Sequence, residues 1–311
     1  MKQLTKFLLA GVLMAGVFAC NSKKNAAEEE FPSELVAFTP YENNPVFAGT
    51  GTDTWDKRIR ERGYILFEDG IYKLWYTGYN KDLAQECFLG YATSPDGVNW
   101  ERYSENPIHD TKWTEDVQVV KEGDSYYMYA EGDDDVAHLL TSADGIQWEE
   151  QGDLTILTTK GDTLSAPYGT PTVWVEDGDW YLFYERTDTA VWLAKSTDKI
   201  NWINVQDEPV LEPGPDQYDI GAVAADQIVK YKGKYYMYYH ATPRPDWQEA
   251  NRPGPVTWNS NVAMSTDLIH WTKYPGNPLV EGDLSSPVLV FDGEKPTLYT
   301  MHPSVHKFSA K

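Results

Sequence analysis

Carboxyl groups set among aromatic runs are the side chains of this sequence with the most chemistry to offer. Glu115 and Asp116 stand together ahead of the apolar run 117–120, and Glu131 closes the aromatic run that follows it. Glu185 beside Arg186, Asp219 after the Pro213-Gly214-Pro215 loop, and His240 and His302 behind other aromatic runs add further acids and two imidazoles. One carboxyl that gives a proton and one carboxylate that takes a proton or attacks directly would support general acid–base chemistry. Asp116 has the best claim, since a like charge on Glu115 would raise its pKa at close range. Glu185 or Asp219 is the expected second carboxylate.

Such residues need a frame that brings them together, and internal repetition supplies one. Ser-x-Asp-x-x-x-Trp occurs at Ser94/Asp96/Trp100, Ser142/Asp144/Trp148, Ser196/Asp198/Trp202 and Ser265/Asp267/Trp271, at intervals of roughly 50 to 70 residues. A hairpin pattern alternates with it: an apolar run, a tight turn, then an aromatic run. Its turns fall at Asp69-Gly70, Gly123-Asp124, Asp177-Gly178, Lys232-Gly233 and Asp292-Gly293. β-Branched and aromatic runs bounded by glycine turns are hairpin signals. Five hairpins with four Trp motifs predict an all-β chain, a five-bladed β-propeller. The last blade lacks outer strands, and the segment 35–47 is expected to supply one, closing the ring and covering an edge.

The hairpins also say where a site would lie. If each first strand starts at one face and turns at the other, first-strand starts and second-strand ends share one mouth. The starts are Glu61/Arg62, Glu115/Asp116, Gly169/Thr170, the stretch 219–226 and Ser285/Ser286; the ends are Tyr79, Glu131, Glu185/Arg186, His240 and His302. Aspartates in the opposite turns serve the turns. Arg58, Arg60 and Arg62 would share one side of an extended segment, either neutralising Asp53, Asp56 and Glu61 or clamping an anionic group. Trp55, Trp113, Tyr168, Trp247 and Trp258 lie in loops able to line the mouth. Asp133-Asp134-Asp135 reads as a solvated loop; a structural calcium there would need about six oxygens. No cofactor is expected.

At these residues the chain resembles the five-bladed glycoside hydrolases, families 43 and 130 above all. Glu115-Asp116-Val117 leading into the run 126–129 is similar to blade two of both; family 130 carries Glu-Asp-Pro-Arg there, its Asp the proton donor. Ile220-Gly221-Ala222 leading to Tyr239-His240 is similar to blade four of family 130. The resemblance implies cleavage of glycosidic bonds with inversion, Asp116 acting as proton donor, by carboxyls about 6.5–9.5 Å apart. Substrate contacts are expected at Glu61, Arg62, Glu115, Tyr168, Arg186, His240, Trp258 and His302. The departures are specific. Glu61/Arg62 stands where family 43 places its base, Gly169 before Pro171 where it places its acid, and Val117-Gln118 replaces the Pro-Arg of family 130. An oligosaccharide hydrolase, a phosphorylase using Arg62, Arg186 and His240 for phosphate, and a non-catalytic carbohydrate-binding propeller all stay open.

Composition narrows the partners. With 26 Lys+Arg against 48 Asp+Glu and a net charge of −22, the surface repels nucleic acid and anionic lipid. Lys2 and Lys6 precede an apolar run too short to span a bilayer, and Val17-Phe18-Ala19-Cys20 resembles the lipobox of bacterial lipoproteins. Residues 1–19 are therefore expected to be a signal peptide, Cys20 a lipidated residue, 20–33 a tether and 34–311 the propeller. The exported protein would meet a membrane only through that anchor, on the periplasmic or the outer face. Cys87 then has no disulfide partner and reads as a small buried hydrophobe.

Overall fold

The structure, a computed structural model, describes residues 30–83, 87–187 and 189–311, and of Glu61 only the backbone. The expected signal peptide, Cys20 and most of the tether lie outside the described residues. Five antiparallel sheets follow one another along the chain. Blade one comprises Arg58–Glu68, Ile71–Tyr79, Phe88–Ser94 and Glu101–Arg102; blade two Glu115–Glu122, Ser125–Glu131, Ala137–Ser142 and Glu149–Asp153. Blade three comprises Gly169–Glu176, Asp179–Arg186, Ala190–Ser196 and Asn201–Asn204, with Thr155–Leu157 added in parallel at its edge. Blade four comprises Ala222–Tyr231, Lys234–Thr242, Asn259–Ser265 and Trp271–Lys273. Blade five has only Ser285–Val290, Thr297–His302 and His306–Ala310 from the C-terminal end, and Phe38–Pro40 pairs antiparallel with the last of these. Each first strand packs against the next, and the fifth returns to the first. The chain is a five-bladed β-propeller.

The repeated Ser-x-Asp motif explains how neighbouring blades lock. In blade one, Ser94 Oγ accepts from Gly97 N (2.9 Å), and Asp96 Oδ1 accepts from Val98 N and Asn99 N (2.9 and 2.8 Å). The turn so fixed presents a carbonyl to the preceding blade. Gly97 O accepts from the Tyr299 hydroxyl (3.1 Å), Gly145 O from Trp75 Nε1 (2.7 Å) and Lys199 O from the Tyr129 hydroxyl (3.2 Å). Blade five has no such turn. There the helical turn Ser33–Val36 stands in, its Leu35 carbonyl accepting from the Tyr238 hydroxyl of blade four (2.8 Å).

Nearer the axis, Gln118 and Gln227 act as side-chain strands. The Gln118 amide donates to Val173 O (2.9 Å) and accepts from Val173 N; the Gln227 amide donates to Leu289 O (3.0 Å) and accepts from Leu289 N (2.7 Å). Buried backbone groups that face no strand are thereby satisfied.

The expected tether boundary needs correction. Phe31 is buried between Tyr274 (centroids 5.0 Å apart) and Tyr236 (6.4 Å), and Tyr236 donates to the Glu30 carbonyl (2.8 Å). The chain is docked from there, ahead of residue 34. Phe31→Ala should cost about 3–5 kcal/mol of stability, read as a lower denaturant midpoint at unchanged slope. An unchanged midpoint would return residues 30–33 to the tether.

Candidate active site

A cavity of about 470 Å³ opens at the face where first strands start and second strands end. Its wall includes Arg60, Glu115, Asp116, Glu131, Thr170, His240, Ser285, Ser286 and His302 from first and second strands, and Asp135, Trp247, Arg252, Val256 and Trp258 from loops. The blade register explains the grouping: Glu115 pairs with Glu131, Gly169 with Glu185, Ala224 with His240 and Ser285 with His302. The second-strand ends of four blades thus deliver two glutamates and two histidines to one level.

Irregular backbone turns the first-strand residues toward the axis. The register shifts between Glu115 and Gln118, between Gly169 and Thr172 and between Ala225 and Gln227, and Asp116, Thr170 and Ser286 all have positive φ (47°, 43° and 57°). Non-glycine residues in that region are uncommon and need surroundings that hold them. For Asp116 the holding group is Arg62. Arg62 N donates to Asp116 Oδ1 (2.9 Å), and its guanidinium donates to the Asp116 carbonyl.

Arg62 is the main correction to the sequence-based site. Arg62 does not share a side with Arg58 and Arg60, because the register shift between Arg60 and Tyr64 breaks the alternation after Arg60. Arg58 stays exposed, Arg60 reaches the cavity beside Glu115 (3.2 Å), and Arg62 is driven to the centre with no exposed surface. There its guanidinium donates to Thr172 Oγ1 (2.5 Å), Pro171 O (2.6 Å), Ala225 O (2.9 Å) and Asp226 O (3.2 Å). It is a pin joining four blades beneath the cavity, with no surface exposed to a substrate.

Of the three expected reacting carboxylates, Asp116 lines the cavity. Glu185 lies just behind the wall, buried, accepting from Gly169 N (2.9 Å). Asp219 is elsewhere: it is buried against Lys273 Nζ (2.5 Å) and caps Gly214 N (3.1 Å), which makes it a loop anchor. Tyr168 is also outside the cavity, its hydroxyl donating to Leu154 O (2.8 Å). Arg186 sits over Trp192 (5.9 Å) and is absent from the wall. Glu115, His240, Trp258 and His302 are on the wall as expected; nothing is described for the Glu61 side chain. Asp133, Asp134 and Asp135 are exposed, and among the described residues no cluster of three or more acids, histidines or cysteines is placed to hold a metal.

Glu131 is the residue that sequence reasoning placed at the mouth but left out of the reacting set. It is buried and holds Thr170 N through Oε2 (2.6 Å). Burial first, then the charges of Asp116, Glu115 and Glu185, push its carboxyl well above the usual range, against the lowering effect of the Thr170 N–H. Its position at a strand end opposite Glu115 was the signal available; its burial and the approach of Glu185 from another blade have no local mark in the sequence.

A stability consequence follows, with a definite sign. Below the ordinary carboxylate pKa Glu131 is protonated in both folded and unfolded chains. Above it the unfolded chain ionises first, so the stability this group contributes is lost as pH rises toward its folded pKa, at up to about 1.4 kcal/mol per pH unit. Unfolding midpoints of Glu131→Gln across that window should fall less steeply with pH than those of the parent; parallel curves would show that Glu131 is ionised.

Tryptophans complete the wall. Trp258 packs edge-on to His240 (5.2 Å) and to Trp247 (5.3 Å), and its backbone N–H donates to Asp283 Oδ1 (3.0 Å). Flat apolar faces beside carboxyl groups suit a ring carrying hydroxyls.

The fold defines the chain as a five-bladed propeller of the architecture found in glycoside hydrolases and mannoside phosphorylases. No protein-family model matches the chain. In sequence it is 26% identical over 228 residues to a 1,2-β-oligomannan phosphorylase of Thermoanaerobacter sp., covering 67% of this chain and 72% of that protein. A glycosyl hydrolase from Bacteroides ovatus superposes with TM-score 0.67 at 15% identity, over 88% of this chain and 92% of that one. A structure from family 130, mannoside phosphorylases among which are glycoside hydrolases targeting β-1,2-mannosidic linkages, superposes with TM-score 0.66 at 16% identity, over 88% and 93%.

Proposed function

We propose that the chain is a carbohydrate-active enzyme that hydrolyses glycosidic bonds in oligosaccharides, with Glu131 and Asp116 as its working carboxyls. The observation that carries the reading is a buried glutamic acid pushed toward its protonated form, on the same cavity wall as a second carboxyl and two tryptophans. A carboxyl held neutral can protonate a departing glycosidic oxygen, and a neighbouring carboxylate can activate water. Glu131 therefore takes the donor role that the resemblance gave to Asp116, and Asp116 becomes its partner. Inversion at the anomeric carbon is the expected outcome, read by NMR of the first product formed.

Phosphorolysis is the second reading, favoured by similarity to the oligomannan phosphorylase and by Arg60, Arg252, His240 and His302 on the wall. Hydrolysis is preferred because the expected signal peptide would export the protein, and a sugar phosphate made outside the cytoplasm is lost to its maker. An oligosaccharide panel that includes β-1,2-mannosides, run with and without inorganic phosphate and scored by product chromatography, decides between them. Products strictly dependent on phosphate overturn hydrolysis. Tight glycan binding with no product under either condition overturns both and leaves a binding propeller. The accompanying location is a lipid anchor at Cys20, and Cys20→Ser should move the protein from the membrane to the soluble fraction.

A further inference from the structure

Behind the cavity wall lies a carboxylate that the proposed chemistry does not use. Asp226 has no exposed surface, and the register shift between Ala225 and Gln227 turns it toward the axis. Its Oδ1 lies 2.9 Å from His240 Nδ1, whereas Oδ2 has no hydrogen-bond partner among the described residues. A buried carboxylate with one oxygen unsatisfied is costly to a fold, so stability alone does not account for it. His240 makes its described side-chain hydrogen bond through Nδ1, is 15% exposed and lines the cavity, with Trp258 packed edge-on at 5.2 Å. Clamped on one nitrogen and packed by an indole, the ring has little freedom left.

We infer that Asp226 is a positioning residue, which fixes the proton of His240 on Nδ1 and so commits the other ring nitrogen to meet a substrate oxygen in the cavity. The inference rests on the reading of this cavity as the active site. A histidine whose Nδ1–H is bound by a carboxylate has its tautomer and ring orientation set by that carboxylate. The charged groups acting on the ring are Asp226, Asp116 and Arg62. Burial alone would drive the imidazole toward neutrality, but Asp226 and then Asp116 outweigh it against the opposing charge of Arg62, and its pKa is raised. Asp226 therefore sets both where His240 points and whether it donates. Through the Arg62–Asp226 carbonyl contact, the same strand is tied to the backbone that carries Asp116.

The test is NMR of histidine-labelled full-length protein, the His240 signal being assigned by its absence in His240→Asn. In the parent, His240 should carry its proton on Nδ1 whenever neutral and should titrate above the ordinary range. In Asp226→Asn the midpoint should fall by at least about one pH unit, and kcat/KM on a cleaved oligosaccharide should drop at least tenfold, most steeply at alkaline pH. A neutral His240 in the parent with its proton on the other nitrogen overturns the inference, and that measurement stands even if Asp226→Asn does not fold. A loss of turnover with the midpoint unmoved marks Asp226 as structural and also overturns it. Because the titration needs no substrate, it can fail while glycosidic cleavage stands, and hold if no oligosaccharide is cleaved.

Discussion

Asp116→Asn should fold normally and lose at least about a hundredfold in turnover on any oligosaccharide the parent cleaves, and Glu131→Gln should lose as much. The fold survives the first change because an amide oxygen can accept the same Arg62 N–H that Asp116 Oδ1 accepts at 2.9 Å. The two variants should part company on an aryl glycoside with a good leaving group. Such a bond departs without protonation, so Glu131→Gln should recover much of its rate there, whereas Asp116→Asn should not. The reverse pattern would return the donor role to Asp116. Near-parental turnover of Asp116→Asn on the natural linkage would remove it from the chemistry altogether.

Arg62→Met should be the most damaging single change to the fold. It strips a donor from the carbonyls of Asp116, Pro171, Ala225 and Asp226 at the centre of the ring, of which Ala225 O keeps the Thr172 hydroxyl (2.8 Å). Leaving buried acceptors unsatisfied costs about 1–3 kcal/mol each, so the total loss should be at least about 3 kcal/mol. For a chain of this size, that corresponds to a fall in Tm of at least about 5 °C. Lysine should not rescue it, because an ammonium cannot span the directions that a planar guanidinium reaches. A thermal midpoint within a degree of the parent would show that the pin is dispensable. Arg58→Met, at an exposed position of the same strand, should leave Tm nearly unchanged and so serves as the control.

The architecture was legible in the sequence because its cause is local. The Ser-x-Asp turn needs only residues a few positions apart, and the hairpins announce themselves through Asp69-Gly70 and its counterparts. The mouth was legible too, since strand alternation alone sends Glu115, Glu131, His240 and His302 to one face. What sequence could not give is the effect of register shifts. Two residues of slippage after Arg60 convert a supposed surface clamp into the central pin, and one after Ala225 brings Asp226 to His240. Asp219 misled for a similar reason. Its partner Lys273 comes from the outermost strand of blade four, far along the chain, and no local pattern links the two.

Gly169 stands where family 43 would carry its acid, and a motif scored position by position counts that acid as missing. In space the vacancy is filled. A Cβ built on Gly169 would lie 2.2 Å from Glu131 Oε2 and 2.7 Å from Glu185 Oε1, so two carboxyls from second strands occupy the volume a first-strand side chain would have used. Carboxyl groups from neighbouring strands fill that volume, and the bare backbone at 169 is the condition that admits them. Placing a glutamate at 169 would therefore evict a carboxyl instead of adding one.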